Sequence, residues 1–366
     1  MPATPPSRPR HARQARLPGV GDAGQGRLAG SSVLIAGVGA LGGVLAETLC
    51  RAGVGRLVLV DRDVVEESNL QRQILFTEAD ARDGRPKALA AAERLRAIDP
   101  LVAVEAHAVD LTSANAEALC GVRGGGRRVG CIADGLDHFA TRFLLDDVSV
   151  KHAIPYAYGG AVGTAGTAFC LLPRTATRQT PWEIAGIATP TLRELVPEPP
   201  AAGAVPTCDT AGVLGPLIHH VAGYQAAEVL KVLLGDWPAV NPKLWHVDLW
   251  GNRSGHLDVA ALVPEHPRTA FDFLENAPRS AAAVLCGRGA VQVSPAPGTP
   301  APVLPAVAAS LPAGTEILRT NEHLLRFVTP AGGPEEFTLF ADGRCLVRGT
   351  GDPARARVLV ARLLGG

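Results

Sequence analysis

The stretch Val33-Leu34-Ile35-Ala36-Gly37-Val38-Gly39-Ala40-Leu41-Gly42 decides the fold. A short apolar run, read as a strand, passes directly into a G-x-G-x-x-G loop and then into the helical pattern Gly42–Ala52. Glycines at these places permit a tight turn and close backbone approach, and the helix N-terminus behind them attracts phosphate. Asp61 ends the next apolar run, Leu57–Val60, at the distance from which an acid binds ribose hydroxyls. Loop and acid together predict a nucleotide site on a strand–helix–strand unit. Many oxidoreductases share both features, so a generic NAD site competes at this point.

Working outward, Val102–Ala106 and Val129–Ala133 read as further strands, and Lys87–Ile98 as a helix ended by Asp99-Pro100. Strands alternating with helices predict an α/β, Rossmann-like, mostly parallel sheet with flanking helices. Residues 174–206, rich in Pro and Thr, read as a long crossing loop. A helix is expected over Leu217–Leu234, stopped by Gly235. Composition breaks near Pro264–Arg268, which places an ATP-binding domain at 1–268 and a small α+β domain at 269–366. There, residues 294–305 read as a linker, followed by strand, Asp342-Gly343 turn, strand and helix. Asp352 is the expected N-cap of that helix, with Pro353 behind it.

The 366 residues are 47% apolar, and 35 Lys+Arg balance 35 Asp+Glu, so no global field points to nucleic acid or to a membrane surface. No apolar run is long enough to span a bilayer, and the basic Arg8–Arg16 stretch lacks a signal-peptide apolar core. A cytoplasmic enzyme is expected. Seven scattered cysteines without a CxxC pair do not read as a disulfide framework.

What separates the two nucleotide readings follows Asp61. The chain continues Asp61-Arg62-Asp63-Val64-Val65-Glu66-Glu67-Ser68-Asn69-Leu70-Gln71-Arg72-Gln73, then Gly84-Arg85-Pro86-Lys87 and Asp134-Gly135-Leu136-Asp137-His138. A triphosphate needs cations at such loops, whereas a dinucleotide does not. With the Arg10–Gln14 segment, Leu17-Pro18-Gly19-Val20-Gly21 and Thr207-Cys208-Asp209-Thr210-Ala211-Gly212, these stretches resemble the ThiF/MoeB adenylyltransferases, relatives of the ubiquitin-activating enzymes. The resemblance covers residues 10–260, and the tail is similar to that of longer ThiF proteins.

That resemblance implies an enzyme, a nucleotidyltransferase that uses ATP and Mg²⁺ to adenylate the C-terminal glycine of a small Gly-Gly-ended sulfur-carrier or ubiquitin-like protein. A ThiS-type carrier is preferred and a MoaD-type carrier is compatible. Nucleotide contacts are expected from Gly37, Gly39, Ala40, Gly42, Asp61, Asp63, Ser68, Asn69, Leu70, Gln71, Arg72, Lys87, Asp137 and His138. Lys87 would touch phosphate and Asp137 would hold Mg²⁺, while His138 stands where the family has an amide. Arg13 resembles the arginine that reaches a partner subunit's ATP, which implies a homodimer.

The chemistry accounts for this equipment. A C-terminal carboxylate, with a pKa of about 3.5, is already ionised at neutral pH and needs no general base. Repulsion between that nucleophile and the triphosphate is the obstacle, and fixed cations offset it. Arg13, Arg72, Lys87 and the Asp137-bound metal are expected in this role. Cys208, shortly before a helix, reads either as a thiol that accepts the activated carrier, as in relatives, or as a small buried hydrophobe. Where relatives carry two zinc-binding CxxC pairs, this chain has Thr191, Glu194, His266 and Thr269, so no zinc is expected. His219, His220 and the alternating Trp245, His246, Asp248 and Trp250 read as structural. Cys286-Gly287-Arg288-Gly289 is a poor sulfurtransferase loop, and Gly365-Gly366 reads as a helix end. Three alternatives stay open: the same activation of a tRNA base or peptide carboxylate, a silent ATP-binding adaptor, and an NAD-dependent oxidoreductase.

Overall fold

The computed structural model describes residues 9–176, 178–200, 208–275, 282–285, 290–295, 299–330 and 335–364. Thr207, Cys286-Gly287-Arg288-Gly289 and Gly365-Gly366, discussed above, lie outside them. The chain forms two compact units, Met1–Pro200 with Ala211–Ala277, and Ala201–Thr210 with Pro278–Gly366.

In the first unit, eight strands form one sheet: β1 (Ser32–Ala36), β2 (Arg56–Val60), β3 (Ala103–His107), β4 (Cys131–Asp134), β5 (Tyr156–Val162), β6 (Ala165–Leu171), β7 (Leu244–Asp248) and β8 (Arg253–Leu257). Their spatial order is β3-β2-β1-β4-β5-β6-β7-β8. The strands from β3 to β5 pair in parallel, and β5 to β8 pair antiparallel. The expected mostly parallel α/β sheet is therefore present. Its strand order reverses between β1 and β4, where Ala36 stands opposite Asp134. Such a switch point opens a crevice beyond the strand C-termini.

Helices α1 (Gly21–Ala29), α2 (Ala40–Arg51), α3 (Lys87–Ile98), α4 (Phe139–His152) and α5 (Gly215–Leu234) flank the sheet. One core gathers Val33, Ile35, Leu45, Leu49, Leu57, Leu59 and Leu95 with Leu217, Val221 and Val229 of α5. A second, on the other face, gathers Leu34, Ile132, Phe143, Leu145 and Tyr156. Alternate residues of β1 thus supply both cores, each such buried side chain contributing about 1.5–3 kcal/mol relative to exposure. Gly235, in the left-handed conformation, closes α5 as expected.

The crossing loop at 174–206 differs from the expectation of a plain loop. It contains two helical turns, Pro181–Ile184 and Leu192–Leu195, each opened by a capping box, Thr180 with Glu183 and Thr191 with Glu194. Trp250 lies beyond the end of β7 and is 76% exposed, so the alternating strand stops at Asp248.

The second unit is a six-stranded antiparallel sheet. Its strands β9 (Ala282–Leu285), β10 (Ala290–Val293), β11 (Glu316–Thr320), β12 (Leu324–Val328), β13 (Glu336–Phe340) and β14 (Cys345–Arg348) accompany helices α6 (Leu304–Ser310) and α7 (Pro353–Leu364). Val291, Leu325, Phe327, Phe337, Leu339 and Val347 pack with Leu304, Ala356 and Val360. The Asp342-Gly343 turn forms with Gly343 at φ +87°, and Asp352 Oδ1 accepts the Ala354 N–H at 2.8 Å.

Candidate active site

Three glycines let the loops after β1 and β4 touch backbone to backbone. Gly37 sits at φ +79°, and its N–H donates to Val60 O at 2.8 Å. A Cβ on Gly42 would stand 1.8 Å from Gly37 O, and one on Gly135 2.4 Å from the same atom. Gly39 differs. It is the N-cap of α2, and a Cβ there would meet nothing nearer than the Gln73 amide at 3.6 Å. Gly39 and Ala40 therefore leave the N–H groups of the first turn of α2 open to an anion.

Asp61 braces this loop from β2. Its Oδ2 accepts the Val38 N–H at 2.7 Å and its Oδ1 the Asp63 N–H at 2.8 Å. Burial pushes the Asp61 carboxyl above its ordinary value; Lys87 pulls against this and Asp63 adds to it. Lys87 reaches the same place through a small antiparallel bridge, Val64 opposite Pro86, in which the Lys87 N–H donates to Asp63 O at 2.9 Å. Its Nζ then lies 3.4 Å from Asp63 Oδ2, and the residue is only 4% exposed. A lysine so desolvated is a strong partner for any further anion.

Arg62 is a residue to which the sequence reading gave no role. Its Nη1 donates to Asp110 Oδ1 at 3.2 Å. Burial opposes its charge, but Asp110, Asp63, Asp137 and Asp61 outweigh that and hold its pKa raised. The crevice thus gathers Asp61, Asp63, Asp110 and Asp137 around Arg62 and Lys87.

Ser68, Asn69, Leu70, Gln71 and Arg72 form a tight turn in which the Asn69 Oδ1 accepts the Glu66 N–H at 3.1 Å. Arg72 Nη1 donates to Ser68 O at 2.9 Å. Gln73, anchored by its N–H on Asn69 O, lays its amide beside Gly39. The Gln73 Oε1 is buried without a hydrogen-bond partner. An orphaned amide against an open helix N-terminus suits a polar ligand there.

Asp137 projects from the loop after β4 and its side chain is 63% exposed, with His138 Nδ1 3.0 Å from its Oδ1. His138 Nε2 lies 2.6 Å from Thr141 Oγ1. A buried brace that the sequence reading missed fixes this loop. Arg142 Nε donates to Asp134 Oδ2 at 2.9 Å, and its Nη2 donates to Leu136 O and Gly159 O at 2.6 and 2.8 Å. Tyr156 and the Leu136 N–H also donate to Asp134. The available signal was an acid ending the strand next to the switch point.

Arg13 is not brought to the crevice of its own chain. Gln14 Nε2 donates to Ala52 O at 3.0 Å, Arg10 pairs with Asp99 at 2.8 Å, and the buried His11 packs against Gly53. These contacts hold the segment at the C-terminal end of α2, the 12 residues of which start at the glycine loop. Such a helix is about 18 Å long, beyond the reach of an arginine side chain. Cys208 opens the turn Cys208–Ala211, and its side chain lies outside the described residues.

At two of the four positions where relatives carry zinc ligands, Thr191 and Glu194 are engaged in other bonds. Thr191 N–H donates to Glu194 Oε2 at 2.6 Å, and Thr191 Oγ1 to Asp146 Oδ2 at 3.2 Å. Arg268 reaches Asp146 and Asp147 at 2.8 and 3.1 Å, and Arg193 reaches Asp147 at 3.3 Å. Among the described residues, no three His, Cys, Asp or Glu side chains are grouped to hold a metal by themselves.

Comparison with known proteins gives concordant results. Residues 11–268 match the model of the ThiF family. The sulfur carrier protein ThiS adenylyltransferase of Bacillus subtilis is 37% identical over 361 residues, 97% of this chain and 99% of its own length. A sulfur carrier protein adenylyltransferase of Thermus thermophilus is 43% identical over 226 residues, 62% of this chain and 78% of its own. The crystal structure of E. coli MccB with ATP superposes with a TM-score of 0.52 at 19% identity, over 69% of this chain and 72% of that one, a likeness of fold alone.

Proposed function

The chain belongs to the ThiF family, and from that premise we propose that it adenylates the C-terminal glycine carboxylate of a small sulfur-carrier protein of the ThiS type, with release of pyrophosphate. One observation carries this reading: the likeness to the Bacillus subtilis enzyme runs through nearly the whole of both chains. We assign the adenylylating chemistry to residues 1–268 and an accessory role to 269–366. Among the described residues no helix is long and apolar enough to cross a membrane; we place the enzyme in the cytoplasm.

In this proposal the phosphates of ATP lie on the N–H groups behind Gly39 and Ala40, with Gln73 beside them. Asp61 keeps its two backbone bonds and offers its remaining lone pairs to the ribose. Ser68, Asn69, Leu70 and Gln71 flank the nucleotide. Lys87 exchanges Asp63 for phosphate, and Arg72 leaves the Ser68 carbonyl for the same charge. Asp137, exposed and beside His138, would be the residue to hold a hard cation there. Mg²⁺ bound there would neutralise charge on the triphosphate. The carrier's carboxylate attacks the α-phosphorus and the bond to pyrophosphate breaks. Lys87, Arg72 and the helix N-terminus stabilise the charge developing at phosphorus. Arg13, held a helix length from its own crevice, serves the ATP of a second subunit in a homodimer. Cys208 is available to the activated carrier after adenylation.

The test is ATP–pyrophosphate exchange with purified Gly-Gly-ended carriers. Exchange that depends on the carrier and is lost when its last glycine is removed is expected. ATP binding without exchange would turn the reading toward a silent adaptor.

A further inference from the structure

At the end of the sheet opposite the active site, a cleft of about 430 Å³ is lined by Arg128, Arg178, Trp182, Ile184, Leu233 and Trp237. That size lies within the range of roughly 300–1,000 Å³ found for small-molecule sites. Ser31 also lines it, one end of β1 away from Gly37, so roughly 20 Å of strand separates it from the glycine loop.

Its lining mixes aromatic, aliphatic and cationic side chains. Its lining includes Trp182 and Trp237, 5.4 Å apart, and Ile184, which is 71% exposed. Trp182 is locked by its indole N–H, which donates to Pro173 O at 3.0 Å. Two arginines, Arg128 and Arg178, also line it. Arg128 spends only Nη2, which donates to the carbonyls of His152 and Ala153 at the end of α4, each at 2.5 Å. Among the described residues no carboxylate pairs with Arg128 or Arg178, and none lines the cleft. Desolvation, and next the charge of Arg178, lower the Arg128 pKa, so the two cations stand close enough to repel. Arg128 and Arg178, both exposed, thus line one cleft beside two tryptophans with no carboxylate among its lining residues.

We propose that this cleft is a second ligand site, for a small organic anion whose phosphate or carboxylate bridges Arg128 and Arg178 and whose flat apolar body lies on Trp237 and Ile184. Arginine forks suit such head groups through paired charge-assisted hydrogen bonds. The site is separate from the ATP crevice and independent of the adenylation reading.

Calorimetric titration of the full chain with 1-naphthyl phosphate, in saturating MgATP, tests it. Saturable one-site binding is expected, with 1-naphthol about tenfold weaker or worse for want of the charge. The affinities of 1-naphthyl phosphate and 1-naphthoate distinguish a phosphate head group from a carboxylate. Arg178→Gln, at an exposed position, should weaken naphthyl phosphate about tenfold and leave pyrophosphate exchange unchanged. Trp237→Ala, a second variant, should weaken naphthyl phosphate and naphthol together. No saturable binding, displacement by ATP, parity of naphthol with naphthyl phosphate, or unchanged affinity in Arg178→Gln would each overturn the proposal.

Discussion

Arg142 Nε donates to Asp134 Oδ2 at 2.9 Å, a pair in which neither side chain is more than 6% exposed. Phe139 and Tyr158 flank the guanidinium at 5.4 and 4.9 Å, so its plane is fixed as well as its charge. The pair ties the end of β4 to α4 and so sets the loop that presents Asp137. Arg142→Ala would leave a fully buried carboxylate without its counter-charge, which costs about 3–5 kcal/mol. Urea unfolding should show this loss, and Arg142→Lys should recover little because one ammonium cannot serve Asp134, Leu136 and Gly159 at once.

Asp137 is the opposite case, an exposed acid with little structural work. Asp137→Ala should leave the unfolding midpoint in place and lower pyrophosphate exchange by about 10²–10³-fold or more. Normal exchange in a folded Asp137→Ala protein would remove the residue from the proposed metal site.

How far the sequence carried depends on the range of the interaction behind each feature. The strands β1 and β2 and the helix α2 were legible because apolar runs, glycines and Asp61 are local signals. Strands β5 and β6 were not, because Gly159, Gly160 and Gly166 interrupt their apolar pattern. Two of these glycines answer to α5: a Cβ on Gly159 would stand 2.2 Å from Gln225, and one on Gly166 2.4 Å from Val221. That constraint comes from a helix some sixty residues later, which no local pattern announces. The turns inside 174–206 were legible in principle, since Thr180-x-x-Glu183 and Thr191-x-x-Glu194 are capping-box patterns. In the site, Lys87 and Asp137 followed from motifs, while Arg62, Gln73 and the Asp134–Arg142 brace depend on pairings formed only by folding.

The pairs of Asp146 and Asp147 with Arg268 and Arg193 tie the crossing loop and the 264–275 segment to α4, and no zinc is expected beside them. Chelation should therefore leave thermal stability unchanged. Arg268→Met should be destabilising by about 3–5 kcal/mol, since the buried Asp146 would lose its counter-charge while Asp147 keeps Arg193. A melting temperature that falls in EDTA, with stoichiometric zinc in the untreated protein, would contradict this.

Burial raises the Cys50 thiol to about 11 and those of Cys120, Cys131 and Cys345 to about 12, and raises Cys170 as well. All five stay neutral at pH 8, so iodoacetamide should not label them in the native protein. Because their folded pKa values exceed the free-thiol value of 9.0, their contribution to stability is complete below pH 9 and is lost as pH rises through 11 to 12. Mass mapping after labelling at pH 8 should find none of these five modified. An inert Cys208 would end its proposed role as acceptor of the activated carrier.

Arg13 gives the strongest test of the dimer, because its position separates two explanations of one defect. The contacts of Gln14 with Ala52 and of Arg10 with Asp99 keep it at the far end of α2. An Arg13→Ala protein that lost exchange through local unfolding could not be rescued by mixing. If Arg13 acts on a second subunit's ATP, mixing Arg13→Ala with Asp137→Ala restores one intact site per heterodimer. Random reassortment makes half of all dimers mixed, each with one working site of two, so exchange should recover to about a quarter of wild type. No recovery, in a mixture shown by native mass spectrometry to have exchanged subunits, would confine Arg13 to a structural role.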